Sequence, residues 1–284
     1  GQIKGDYKPG RDVCGGCEEG ETCVDNSCRS MVTLKMGRDV SVDFHIAYAD
    51  DTLVALVDHR DMQQTSAVVD AVTAFLPAFL REQSVLGVSK GAWDRDTNGV
   101  LWLAFTNQTT VGIGMDVVGF FDYRDFLSDA DASSMGNQAD VLWARVPGTE
   151  GITEDLVVGT LAHEFTHLAS YAERVHSRSS QALRESLWLD EGLAHLMEDL
   201  LGFGASNIDT VAAAYESWKD TPLAGPDDSL AQRGRAFLLL RHLVDISARA
   251  LGAEHAADEQ VLEAAAELVS RFIDEESLGY EHPE

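Results

Sequence analysis

The 284-residue chain is 45% hydrophobic and 24% charged, and its 48 acidic against 21 basic side chains give a formal net charge of −27. The apolar content suffices for one large core or two modest ones, whereas so negative a field repels phosphate backbones and anionic lipid and argues against a nucleic-acid partner. No run of about 18 apolar residues is present, so no transmembrane helix is expected.

Residues 1–13 are rich in Gly, Lys and Asp without periodicity and are expected to be a lead-in. The chain opens at Gly1 with no charged and apolar leader, so export has to be argued from the cysteines. Cys14, Cys17, Cys23 and Cys28 are the only four, and all lie within one short segment of almost no apolar content. Such a segment cannot fold on a core and needs a covalent or metal staple. Two disulfides are expected, with three pairings open. A four-cysteine zinc knuckle is the rival reading, weakened because four residues rather than two separate Cys23 from Cys28. The segment loosely resembles small CxxC…C…C elements near the mature ends of bacterial surface proteins, which implies tethering or a spacer rather than catalysis; the expected disulfides suit a secreted or cell-surface setting. Residues 1–30 are therefore set apart from a main domain over 31–284.

From Met31 to Asp58 the pattern is that of strands. Val40–Tyr48 alternates apolar and polar residues, and Leu53–Asp58 follows an acidic turn. Residues 65–86 carry apolar side chains at helical spacing, with Pro77 expected to kink or split the helix. His45 and His59 are isolated in the sequence and are taken as structural or surface histidines. Asp94-Arg-Asp96-Thr-Asn98-Gly99 matches the first half of a calcium loop, but the twelfth position, where a bidentate acid belongs, is Phe105. A turn at Asn98-Gly99 joining strands is the favoured reading and a Ca²⁺ site the minor one. A strand at 100–105, a Gly-rich extended stretch at 111–121, a polar loop at 130–138 and a strand at 141–146 follow.

Beyond Pro147 the period becomes helical, with helices expected near 153–174, 181–201, 208–219, 228–251 and 257–276. Gly202, Gly252 and Gly279 fit helix ends, and Pro222 and Pro226 mark a loop. Strands first and helices afterwards make an α+β fold, with a strand-rich half at 31–175 and a helical half at 176–284.

The first of these helices contains His163-Glu164-Phe165-Thr166-His167. On a helix the two histidines lie one turn apart on one face, able to share a Zn²⁺, with Glu164 placed to act as general base. Chance would produce this five-residue pattern in about one chain in fifty of similar composition, so context must support it. A catalytic zinc also needs a third protein ligand and an open position. The HxxGxxH continuation fails, because Ser170 and Glu173 stand where Gly and His would be. Glu173 or His176 would serve only if the helix broke near Ser170. The better source is the next helix, Leu187-Trp-Leu-Asp190-Glu191-Gly-Leu-Ala-His195, where an acidic pair inside an apolar run calls for a cation. Glu191 is the expected ligand, and His195, one turn on, a supporting or core residue.

HEFTH followed by WLDEGLAH resembles the gluzincin arrangement, and within it the hyicolysin family of secreted bacterial neutral metallopeptidases. The upstream order agrees: Asp94 to Asn107, then Val-Val-Gly-Phe-Phe at 117–121, then a Trp-containing strand ending at Val146-Pro147. Downstream, Arg233–Leu243 is similar to the family's following helix. The resemblance covers roughly residues 40–250 and implies a zincin-like fold and hydrolysis of protein or peptide substrates. It further implies His163, His167 and Glu191 as zinc ligands, and Glu164 as base. Two positions depart from it. Asp190 stands where Asn is usual, and Arg233 where Tyr is frequent, so the group that steadies the oxyanion is open among Arg233, His242 and Tyr215. A peptide is expected to align on a strand edge supplied by 111–121 or 141–146. A zinc-holding surface protein without turnover is the alternative.

Overall fold

The computed structural model describes residues 22–24, 27–29, 31–36, 40–88, 90–109, 117–126, 136–149, 151–176, 186–223, 229–253, 255 and 259–274. The chain divides into two compact units, one of residues 1–76 and 90–164, the other of 77–89 and 165–284.

The first unit is built on a six-stranded mixed sheet in the order β3-β4-β5-β6-β8-β7. The strands are β3 (Val32–Met36), β4 (Val40–Ala49), β5 (Leu53–Asp58), β6 (Leu101–Phe105), β7 (Gly119–Phe121) and β8 (Val141–Ala144). β5, β6 and β8 run parallel, and every residue of all three is buried. That is why they appear in the sequence as continuous apolar runs rather than alternating ones. β3 and β4 pair antiparallel, and inward and outward residues alternate along β3. Trp143 joins the core to the edge, with its ring stacked on Phe120 at 5.7 Å and tilted against Phe44 at 6.0 Å. A separate hairpin pairs β1 (Thr22–Val24) with β2 (Ser27–Arg29), Cys23 opposite Cys28 in the register. Cys14 and Cys17 lie outside the described residues.

Helix α1 (Thr65–Leu86) runs through Pro77 as one element, so of the two expected effects, a kink or a split, the split does not occur. Pro77 lies on the exposed side of the helix, as does Thr73, whose carbonyl loses its usual donor. Solvent can replace that hydrogen bond, which removes one part of the proline's cost and leaves the crowding of its ring against that carbonyl. His45 and His59 are not isolated: Nε2 of one lies 2.9 Å from Nδ1 of the other, with the rings stacked. A short helix, α2 (Lys90–Trp93), precedes the loop that enters β6.

The second unit is helical among its described residues and begins with the end of α1. It holds the last turns of α3 (Glu154–Tyr171), then α4 (Leu187–Leu200), α5 (Ile208–Glu216), α6 (Leu230–Ala250) and α7 (Glu259–Asp274). The helical periodicity read from the sequence corresponds to these elements, with ends shifted by a few residues. Leu201-Gly202 and Leu251-Gly252 close α4 and α6, each glycine at positive φ (94° and 98°). Gly279 lies outside the described residues. Glycines also set the helix spacing. A Cβ on Gly192 would lie 2.8 Å from Ala236 Cβ, and one on Gly234 would collide with the Thr210 carbonyl. Phe79 and Phe165 meet edge to face at 4.7 Å, and buried Thr166 donates to Glu82 at 2.8 Å. Among the described residues no helix is long and apolar enough to cross a membrane.

Candidate metal centre

Helix α3 begins where Thr153 Oγ1 accepts from Leu156 N (3.2 Å), and Glu154 and Asp155 occupy its first turn, where the helix dipole favours negative charge. From this start the 3.6-residue period carries Leu161, Ala162, Phe165, Leu168 and Ala169 into the core, all of them fully buried. His163 and His167 fall on one side of the helix, four residues apart.

Glu164, also buried, is held from the sheet. Its Oε2 accepts a 2.9 Å hydrogen bond from the backbone N–H of Phe121 in β7. The approach of strand to helix depends on Gly119, where a Cβ would stand 2.5 Å from Thr160 Cγ2 and 2.7 Å from the Trp143 carbonyl oxygen. Among the described residues β7 is one edge strand of the sheet, β3 the other, and β8 lies between β6 and β7. Of the two stretches considered as a peptide edge, 141–146 is thereby ruled out, because β8 is paired on both sides.

Helix α4 starts at Ser186, whose extended backbone offers its carbonyl to Leu189 N and Asp190 N. This entry puts the acidic pair in the first turns. Asp190 Oδ2 lies 3.1 Å from His167 Nδ1, and Glu191 Oε1 lies 3.8 Å from His167 Nε2. The two carboxylates therefore address opposite nitrogens of one imidazole. One side-chain ligand atom from each of His163, His167 and Glu191 lies within 4.8 Å of the others. The donor chemistry fits a metal ion: two imidazoles and a carboxylate, all mostly buried, with a further carboxylate oxygen 3.1 Å from Nδ1 of one imidazole.

α3 continues unbroken past Ser170 into a π-helical turn, Ala172–His176, so the helix break that Glu173 or His176 would have required is absent. Of the three candidates for the oxyanion role, Arg233 reaches the group: its guanidinium lies 2.7 Å from Glu191 Oε2. Tyr215 and His242 are exposed, and Tyr215 stacks near Trp218 at 6.4 Å.

His195 is buried one turn after Glu191, its Nδ1 2.7 Å from Asn207 Oδ1 and 3.2 Å from Glu198 Oε1. Asn207 Nδ2 donates to the His195 carbonyl at 2.9 Å, and Ser206 donates to Glu198. His195, Glu198 and His163 form a second grouping able to hold a metal ion. Asp190, Glu198 and Asn207 have no assigned role in the sequence-based expectations. For Asp190 a signal exists, since it is an added charge beside the expected ligand. Asn207 has none, because its contact with His195 arises only when the chain turns after α4. No family model matches the chain, and no curated protein matches it either.

Proposed function

We propose that this protein is a zinc-dependent endopeptidase of the gluzincin arrangement, akin to the hyicolysin family, acting outside the cytoplasm. The observation that carries the reading is the convergence of His163, His167 and Glu191 while Glu164 is hydrogen-bonded to Phe121 N. His163, His167 and Glu191 hold the ion; when bound, Zn²⁺ supplies Lewis acidity that brings the pKa of a water toward about 7 and polarises a carbonyl. Glu164 takes the proton of the attacking water and passes it to the leaving amine. The Phe121 N–H fixes the rotation of that carboxylate, so the proton moves at a defined place. Asp190 holds the ring of His167 in orientation through Nδ1. Arg233 supplies fixed positive charge beside the group, and a substrate in extended form aligns with β7, an edge strand.

Metal analysis paired with casein cleavage tests this. One zinc per chain and cleavage lost in Glu164→Gln are the expected outcomes; equal residual cleavage in both proteins removes Glu164 as base. A zinc-holding surface protein without turnover is the second reading. It is favoured by the Arg233–Glu191 ion pair, in which a guanidinium stands where a tyrosine would serve catalysis, and it requires stoichiometric zinc with no cleavage at all.

A further inference from the structure

In the first unit, at the end of the sheet where β6 and β8 begin, three carboxylates converge. One oxygen from each of Asp94, Asp96 and Asp140 lies within 4.8 Å of the others. Asp94 and Asp96 belong to the loop entering β6, and Asp140 immediately precedes β8. β6 and β8 are parallel neighbours with Trp102 opposite Val141, and Trp102 N donates to the Asp140 carbonyl at 3.0 Å. Parallel strands begin at the same end of a sheet, so the residue entering one strand meets the loop entering the other.

We propose that Asp94, Asp96 and Asp140 form a Ca²⁺ site, with Asp140 supplying across the sheet the acid that the loop lacks at Phe105. Asp140 is fully buried, and its Oδ2 has no hydrogen-bond partner among the described residues; the same holds for Asp94 Oδ1. A buried carboxylate oxygen left without a donor is costly and asks for an explanation, and a cation is one of the few available. The other oxygens are engaged in ways that shape the loop: Asp140 Oδ1 accepts from Arg95 N, Asp94 Oδ2 from Gly99 N, and Asp96 from Asn98. The guanidinium of Arg95 donates through Nε to the Phe126 carbonyl. Lys90 Nζ lies by Gly99, and its charge acts on Asp50.

The donors are all oxygen and all carboxylate, the chemistry of a hard divalent cation rather than of the histidine group. The remaining coordination would come from peptide carbonyls and water, a variable shell that suits Ca²⁺ better than the small, rigid octahedron of Mg²⁺. A bound ion would tie the loop before β6 to the head of β8, joining two fully buried strands.

The test uses the full chain, stripped with EDTA and titrated with CaCl₂. Melting temperature and terbium luminescence are the readouts, with Trp102, whose indole adjoins Asp96, as sensitiser. Ca²⁺ in millimolar excess should raise Tm by about 3–6 °C, and should displace terbium. Asp140→Asn should lower the Ca²⁺ affinity read from both titrations by about tenfold or more, because affinity at oxygen sites follows the number of charged ligands. Should that variant fail to fold, Asp96→Asn, which is less buried, carries the same expectation. No response of the wild type, an undiminished response of the variants, or an equal Tm shift with Mg²⁺ at the same concentration would overturn the proposal.

Discussion

Asp190 Oδ2 lies 3.1 Å from His167 Nδ1, on the side of the ring opposite Glu191. A carboxylate at that nitrogen fixes the ring orientation and raises the basicity of the other nitrogen, and losing such a partner typically costs ten- to a hundredfold in metal affinity. Asp190→Ala should therefore weaken zinc binding by about tenfold or more, measured by competition with a chromophoric chelator, and Asp190→Asn should weaken it less. An unchanged affinity in Asp190→Ala would make the contact incidental.

Arg233 and Glu191 form an ion pair at 2.7 Å in which the carboxylate is largely buried. Removing the guanidinium leaves a buried charge uncompensated, at a cost of about 3 kcal/mol. Arg233→Met should show that loss in urea denaturation of the metal-free protein. Added Zn²⁺ should restore most of it, because the cation takes over the compensation. A loss of equal size with and without zinc would mean that Glu191 does not meet the metal.

Gly119 lets β7 approach α3 closely enough for the Phe121 N–H to reach Glu164. In Gly119→Ala the added methyl meets the Trp143 carbonyl, and backbone must shift. The expected destabilisation is about 1–3 kcal/mol, the usual cost of overpacking. For peptide cleavage kcat should fall more than KM changes, since Glu164 would lose its anchor while the substrate edge persists. A change in KM alone, with kcat intact, would dissociate the glycine from the base.

Asp125 is fully buried, and burial, aided by the charge of Asp122, pushes its carboxyl up from 3.8 to about 7 against the opposing hydrogen bonds from Asn137 and Trp143. A folded pKa raised above the unfolded one means that the folded state holds the extra proton between about pH 4 and 7. This group's contribution is complete below about pH 4 and is lost as pH rises through about 7. Asp58 runs the other way: burial raises its pKa, but hydrogen bonds from Arg60 and Thr106 outweigh that and lower it. Comparing wild type with Asp125→Asn cancels such background. Stability of the wild type relative to the variant should increase on acidification by up to about 1.4 kcal/mol per pH unit within the window. A difference that stays constant from about pH 7.5 to about pH 5 would refute the raised value.

The parts of this structure that sequence could reveal are those whose cause is local. α3 and α4 follow from periodicity, and β5, β6 and β8 from unbroken apolar runs. Ser170 is no helix breaker, which argues against Glu173 as a ligand, and the helix does continue there. What escapes depends on contacts between distant segments. Asp140 meets the loop of Asp94 and Asp96 only because β6 and β8 pair in parallel. Arg233 finds Glu191 only when α6 packs on α4 through Gly192. The effect of Pro77 depends on which side of its helix faces water, which the proline itself does not reveal. β8 could be taken for an edge because an interior strand and an edge strand can share one pattern.

Gly192 also bears on how the neighbouring position can evolve. Its bare Cα sits against Ala236 and Leu240, so α4 lies closer to α6 than any intervening side chain would allow. Changing Glu191 to aspartate withdraws the carboxylate by one methylene, about 1.5 Å, and α4 is not free to slide and make up the distance. A substitution that is conservative in charge is thus not conservative in reach. On the proposed reading, an aspartate at residue 191 would regain the lost reach only if the packing of Gly192 against α6 were rebuilt with it.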